Sequence, residues 1–215
     1  MGRLWKLTHK IQSIVPQKKR KNRFTVTLES GDVFGISGDV LISNHLDAGQ
    51  KITKKALEHL KRIETRQQIK IRILRLLIYR QRSRADVLTL LKRKGYIEDD
   101  IIPVLNELDS KGYMDDKAFA KMYASYLIKK KSLGRMAVKH KFSQHHISHD
   151  LLNSILDELY VTYPPEKMVQ QIVDKRISVR GNSLKEMKKL VNLLKRKGFR
   201  WQDIEPILNA VKWGP

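Results

Sequence analysis

The stretch LLKRKGYIEDDIIPVLNEL, residues 90–108, returns as LLKRKGFRWQDIEPILNAV at residues 193–211. Eleven of the nineteen positions are identical at a constant offset of 103, among them Lys92, Arg93, Lys94 and Gly95 against Lys195, Arg196, Lys197 and Gly198. Self-similarity at a fixed period marks a repeat architecture, and halving the offset to about 51 locates a weaker middle copy. The apolar anchors Ile101, Val104, Leu105 and Leu108 map onto Leu152, Ile155, Leu156 and Leu159, then onto Ile204, Ile207, Leu208 and Val211. Each set has the i, i+3, i+4, i+7 spacing of one buried helical face. Tyr96, Ile147 and Phe199 stand just before that helix, where an apolar residue can pin the entry turn.

The helix before it repeats too, through Val87 and Leu91, Val138 and Phe142, and Leu190 and Leu194. Upstream of each pair lies a further helical stretch, near 53–81, 115–130 and 165–180, the first of them opened by Thr53 as an N-cap. Gly95, Gly112, Gly134 and Gly198 sit where helices are expected to stop. The remainder is different in kind. Phe24, Val26 and Leu28 alternate with Thr25, Thr27 and Glu29, a turn follows at Ser30, Gly31 and Asp32, and Val33, Phe34 and Ile36 give a second strand. A lone hairpin is marginal in water, so residues 10–15 are read either as a third strand or as a short amphipathic helix. Residues 39–46 read as one short helix, with Gly49 at the turn beyond it.

The expected fold is therefore mainly α: three tandem three-helix repeats in an elongated, curved array, behind a small N-terminal β-hairpin or three-stranded segment. The boundaries fall at 1–52 for the β-containing segment, then 53–112, 113–162 and 163–215 for the repeats. One such unit buries too little surface to stand alone, so the repeats should pack in a row.

The 215 residues carry 44 Lys and Arg against 22 Asp and Glu, a formal net charge of +22. Such an excess predicts a polyanionic partner, nucleic acid ahead of an anionic membrane surface. The charge is segregated. Residues 54–94 hold fourteen cations and three acids, half of the net charge, whereas residues 98–117 hold seven acids and two lysines. Arg66, Lys70, Arg72, Arg75, Arg80, Arg82 and Arg84 run through and beyond a helix interior, which helix capping does not explain, and are assigned to binding. Lys92, Arg93 and Lys94, Lys129, Lys130 and Lys131, and Lys195, Arg196 and Lys197 join them as candidates. The first and last of these triplets also complement a helix macrodipole ahead of a glycine, worth about 0.3–1 kcal/mol. The tail KKRKNR at 18–23 abuts a strand and is read as a partly ordered accessory contact. A helix opening with Glu98, Asp99 and Asp100 opposes phosphate, which argues against reading the first unit as a groove-reading helix-turn-helix.

Catalytic signals are weak. There is no cysteine, hence no disulfide, thiolate metal site or cysteine nucleophile, a usage that suits a reducing cytosol. His145 and His149 have metal-ligand spacing, with His140 and His146 nearby, but the glutamate of the zinc-protease motif is absent. The pairs Asp99, Asp100 and Asp115, Asp116 stand at helix starts, where carboxylates cap free amides. No phosphate loop or nucleophile elbow occurs, since GDVFGISGD lacks the Lys and Ser/Thr that handle nucleotide. No apolar stretch reaches a bilayer span, and the N-terminus lacks a signal-peptide core. The expectation is a cytoplasmic, non-enzymatic monomer without cofactor or metal.

Four stretches carry a resemblance: KKRKNRFTVTLESGDVFGIS, LLIYRQRSRADVLTLLKRKGY, LDSKGYMDDKAFAKMYASYLIKKKSLG and LLKRKGFRWQDIEPIL. In this order they resemble the RecX family of bacterial RecA regulators across nearly the whole chain. The elements at Tyr79 to Ser83 and Gly112 to Ala120 are the most specific parts, and His146 stands where the flanking copies have Gly95 and Gly198. The resemblance implies three tandem three-helix repeats and a modulator, usually an inhibitor, of the RecA recombinase in DNA repair and the SOS response. It further implies seating in the groove of the RecA filament on single- or double-stranded DNA, with damping of ATP hydrolysis, strand exchange and co-protease activity. A general DNA-binding protein acting only by competition for DNA is the alternative.

Overall fold

The computed structural model describes residues 8–215; the first seven residues of the expected N-terminal segment lie outside the described residues. The alternating pattern produces β2 (Arg23–Leu28) and β3 (Val33–Ser37), antiparallel, with Phe24 opposite Ile36 and Val26 opposite Phe34. The open choice at 10–15 resolves as a strand: β1 (Thr8–Pro16) pairs antiparallel with β2 and carries a register shift between Ile11 and Ser13. A fourth strand, β4 (Lys51–Thr53), adds to the other edge of β1, giving the order β3-β2-β1-β4. Three residues are too few to display an alternation, so β4 leaves no pattern to read. Between β3 and β4 lies α1 (Gly38–Ser43), capped by the Ser37 hydroxyl, which accepts from Val40 N.

Ile11, Val26, Leu28 and Ile36 of the sheet are fully buried with Val40, Leu46, Ile52, Leu57 and Leu60. Because Leu57 and Leu60 belong to α2 (Lys54–Tyr79), the long first-repeat helix begins as the cover of the sheet. Thr53 caps it as expected, its hydroxyl accepting from Ala56 N at 3.1 Å.

The repeats follow as α3 (Arg84–Arg93) and α4 (Glu98–Ser110), then α5 (Asp116–Lys129), α6 (Arg135–Phe142) and α7 (His149–Thr162), then α8 (Pro165–Arg180), α9 (Leu184–Arg196) and α10 (Trp201–Asn209). The anchors are buried where the spacing puts them, in α4, α7 and α10 and in the helices preceding them, except Ile207 of α10, which is half-buried against the core. Val211 alone lies past its helix, half-buried against the same core. The chain divides into two compact units, one running to Leu76 together with Leu91–Ser110, the other comprising Leu77–Leu90 together with Lys111–Pro215. In the second unit α5 to α10 contribute to one continuous buried cluster, from Phe119 to Leu208.

Gly134 departs from its expected role. It does not end a helix; it is the N-cap of α6, with an ordinary extended backbone (φ −78°). Its N–H donates to the Lys197 carbonyl at 2.8 Å, and Met136 N donates to the Gly198 carbonyl at 3.1 Å. The orphan amides at the start of α6 are thereby satisfied by the carbonyls that close α9. The approach is tight: a Cβ at Gly134 would lie 2.5 Å from the Gly198 oxygen, and one at Gly198 would be driven into the backbone of Ala137. Gly198 is also left-handed (φ 80°), as is Gly95 (φ 87°), but around Gly95 there is open space. In the middle copy His146 takes the same left-handed conformation (φ 52°), so the turn survives the loss of glycine. Gly95→Ala is expected to cost about 1 kcal/mol, from backbone conformation alone. Gly198→Ala, which adds a backbone clash, should cost at least about 3 kcal/mol. Urea unfolding midpoints of the two variants test this, and equal losses would refute the contact.

Candidate nucleic-acid interface

At about 100° per residue, Arg62, Arg66 and Lys70 share one face of α2, while Gln68, Arg72 and Arg75 lie on the opposite one. The structure uses the two faces differently. Arg62 and Arg66 both reach the buried Asp100 of α4, at 3.1 and 3.3 Å, and Lys70 pairs with Glu107 at 2.6 Å. Pro103 cannot donate to the Asp99 carbonyl one turn back, and Arg66 Nη2 donates to that oxygen instead, at 3.3 Å. The acidic fourth helix is thus a partner of the basic second, and Arg66 and Lys70 are committed largely to the fold.

Arg72 and Arg75 face a different surrounding. With Gln68 and Ile71 of α2, Arg20, Lys21 and Arg23 of the β1–β2 connection and β2, and Tyr96 of the turn before α4, they line an open concavity of about 710 Å³. The Arg72 guanidinium stands over the Tyr96 ring, 5.9 Å from its centroid. Five cations around one hollow with no carboxylate on its wall form a strongly positive surface, of the electrostatic character that suits phosphate. Tail and helix, read separately in the sequence, here supply one site.

Glu64, one of only three acids among residues 54–94, holds this site together. It is 4% exposed and satisfied on both oxygens. Oε1 accepts from Arg23 Nη1 at 2.7 Å and Gln68 Nε2 at 2.8 Å, and Oε2 accepts from Ser37 N at 2.7 Å. One carboxylate therefore ties α2 to β2 and to the end of β3, and aims Arg23 at the concavity. Sequence reasoning passed over it. The available signal was an acid at i+4 from Leu60 and i+7 from Leu57, on the buried face of a basic helix.

The remaining candidates are dispersed. Lys92 pairs with Glu98 at 2.7 Å, while Arg93 and Lys94 are exposed. In the second unit, Arg80 is exposed, and burial first, then the neighbouring Arg80, holds the Arg82 guanidinium below its ordinary value. Arg84 opens α3, its N–H donating to Asp116 Oδ1 at 2.9 Å. Lys129, Lys130, Lys131, Lys195 and Arg196 are exposed, but Lys197 turns inward and donates to the Lys131 carbonyl at 2.8 Å. Burial pushes its ammonium below the usual lysine value.

His145 points into the fold, Nδ1 lying 2.9 Å from Asp86 Oδ1 among the rings of Phe119, Tyr123 and Phe142. Asp115 accepts from Ala118 N at 2.8 Å, the cap expected of it. Among the described residues no three His, Cys, Asp or Glu side chains gather as a metal-binding group, and no helix is long and apolar enough to cross a membrane.

No family model matches the sequence. Among curated proteins, regulatory protein RecX of Oceanobacillus iheyensis is 26% identical over 197 residues, covering 88% of this chain and 72% of its own. Regulatory protein RecX of Bacillus cereus is 27% identical over 216 residues, covering 94% and 77%. A crystal structure of regulatory protein RecX superimposes with a TM-score of 0.70 at 23% identity, over 94% of this chain and 99% of the other. That of RecX from Lactobacillus salivarius gives 0.59 at 22%, over 68% and 97%.

The chain is similar to RecX regulatory proteins in sequence and shares their fold. The two segments that most specifically resemble RecX, Tyr79 to Ser83 and Gly112 to Ala120, meet at the start of α3. Ser83 is fully buried and its hydroxyl accepts from Asp86 N at 3.1 Å, while Asp116 from the other element accepts from Arg84 N at 2.9 Å. In this chain they act together as a helix cap built from two distant segments.

Glu64→Gln would leave Arg23 without its counter-charge and is expected to cost about 3 kcal/mol. Chemical denaturation monitored by circular dichroism measures this; a loss below about 1 kcal/mol would show that Glu64 does not hold the sheet to α2.

Proposed function

We propose that the chain is a regulator, mainly an inhibitor, of the RecA recombinase. It engages the groove of the RecA–DNA filament and damps ATPase, strand exchange and co-protease activity in DNA repair and the SOS response, as a cytoplasmic, non-enzymatic monomer. The observation that carries this reading is the concavity where Arg20, Lys21, Arg23, Arg72 and Arg75 converge. Preorganised guanidinium groups suit phosphate or clustered carboxylates, because their planar forks donate paired hydrogen bonds. The names of the relatives, regulatory protein RecX, support the regulatory part. The division into three repeats at 53–112, 113–162 and 163–215 is retained as part of the proposal, with tandem units giving length to span successive filament protomers.

The same concavity favours a second reading, a general DNA-binding protein that acts only by competing for DNA, since Tyr96 beside Arg72 also suits a nucleic-acid strand. The triple variant Arg20→Glu, Arg72→Glu, Arg75→Glu separates them. Suppression of RecA ATPase on single-stranded DNA should fall more than about tenfold with helicity intact, each lost phosphate contact costing affinity. The wild-type protein should bind RecA-coated strands more tightly than bare ones. Equal affinity for both, with a log-log salt slope near about −0.7 per phosphate neutralised, would establish competition instead.

A further inference from the structure

The last repeat differs from the first at one position with a large chemical effect. Lys92 in the first repeat is neutralised by Glu98, at 2.7 Å. At the equivalent pair in the third repeat the lysine is kept as Lys195, but the acid is replaced by Trp201. Lys195 Nζ stands 5.6 Å from the indole centroid, and Trp201, the first residue of α10, remains 48% exposed. A large aromatic side chain is thus left half in water where the first repeat places a carboxylate.

The neighbourhood repeats this arrangement. Lys197 donates to the Lys131 carbonyl at 2.8 Å, which brings the end of α9 against the end of α5. There Lys131 Nζ stands 5.9 Å from the Tyr126 ring, itself 46% exposed, and Lys129 Nζ stands 5.0 Å from the Tyr163 ring. Neither residues 129–149 nor residues 187–202 contain an acid. Arg135 is paired with Asp157 of α7 at 2.6 Å, which leaves the exposed lysines and Arg196 as the charge of the patch.

Cations alone would not select the single strand, because the duplex offers phosphates at a higher charge density. Exposed aromatic rings among the cations distinguish them: a ring can stack on a base only where the base is free of its own stack. From this we infer that the surface formed by the ends of α5 and α9 and the start of α10 binds single-stranded nucleic acid, with Trp201 as a stacking platform for an unpaired base, Tyr126 as a second one, and Lys129, Lys131, Lys195 and Arg196 on the phosphates. The inference rests on the proposed function for its biological setting, since it names the nucleic acid that such a regulator would touch.

The test is equilibrium titration of the full chain with an oligothymidylate and with a duplex of equal phosphate number at fixed salt, read by tryptophan fluorescence and by anisotropy of labelled strands. Trp201→Ala should weaken oligothymidylate binding by about tenfold, the scale of one lost base–aromatic stack, and change duplex binding by less than about twofold. Trp201→Phe should recover most of the loss, and the fluorescence quench on oligothymidylate should vanish in both variants. Tyr126→Leu gives an independent readout of the same preference. Equal losses on the two probes, or no loss on either, would overturn the inference. So would a Trp201→Ala protein that binds oligothymidylate normally and fails only on RecA-coated strands, since the patch would then be a protein contact and the regulatory reading would stand. Conversely, a wild-type chain that shows the Trp201-dependent quench and leaves RecA ATPase untouched would refute the regulatory reading and keep the stacking site.

Discussion

A single buried carboxylate sets the first unit's geometry. Glu64 accepts hydrogen bonds from a strand side chain, from the backbone at the end of another strand and from its own helix, so the sheet and α2 share one polar joint inside an apolar contact. A buried charge is tolerated only when fully paired, and a fully paired charge permits few alternative arrangements. The constraint is directional where hydrophobic packing is not. It decides which face of α2 the β1–β2 connection lies against, and hence which arginines stand beside the tail cations.

The three copies of the motif show how a repeat diverges without losing its helices. The apolar anchors are kept, and the polar positions around the turn are respecified. The lysine before the glycine is exposed in the first copy and inward-turned in the third, Lys94 against Lys197. The glycine stands in open space in one and against backbone in the other. Even the left-handed turn tolerates His146 in the middle copy. Buried apolar spacing carries the architecture, and the turns carry the differences.

That division explains what was legible in the sequence. Apolar residues at helical spacing report burial directly, so Ile101 to Leu108 and their counterparts, the N-caps Thr53 and Asp115, and the β2–β3 alternation were readable. Pairings between distant segments leave no periodic trace. That is why β4, the Glu64 joint and the role of Asp116 as a cap for α3 escaped, and why Gly134 was read as a stop when it opens a helix. The candidate site was legible as charge but not as shape. The run Arg66 to Arg84 reads as one basic stretch, yet Arg66 and Lys70 are spent on Asp100 and Glu107, and the tail residues Arg20, Lys21 and Arg23 take their place around Arg72 and Arg75.

The seam between α6 and α9 has a thermodynamic meaning. Amides that open one helix are satisfied by carbonyls that close another some sixty residues later, and the side chains beneath them belong to one continuous core. Neither helix pair keeps its hydrogen bonds if the other melts. The stretch from α5 to α10 is therefore expected to open and close as one cooperative element, its amides sharing a common protection against hydrogen exchange. What looks modular in the letters of the sequence is indivisible in free energy, so a repeat here cannot be lost or transplanted without rewriting its neighbour's turn.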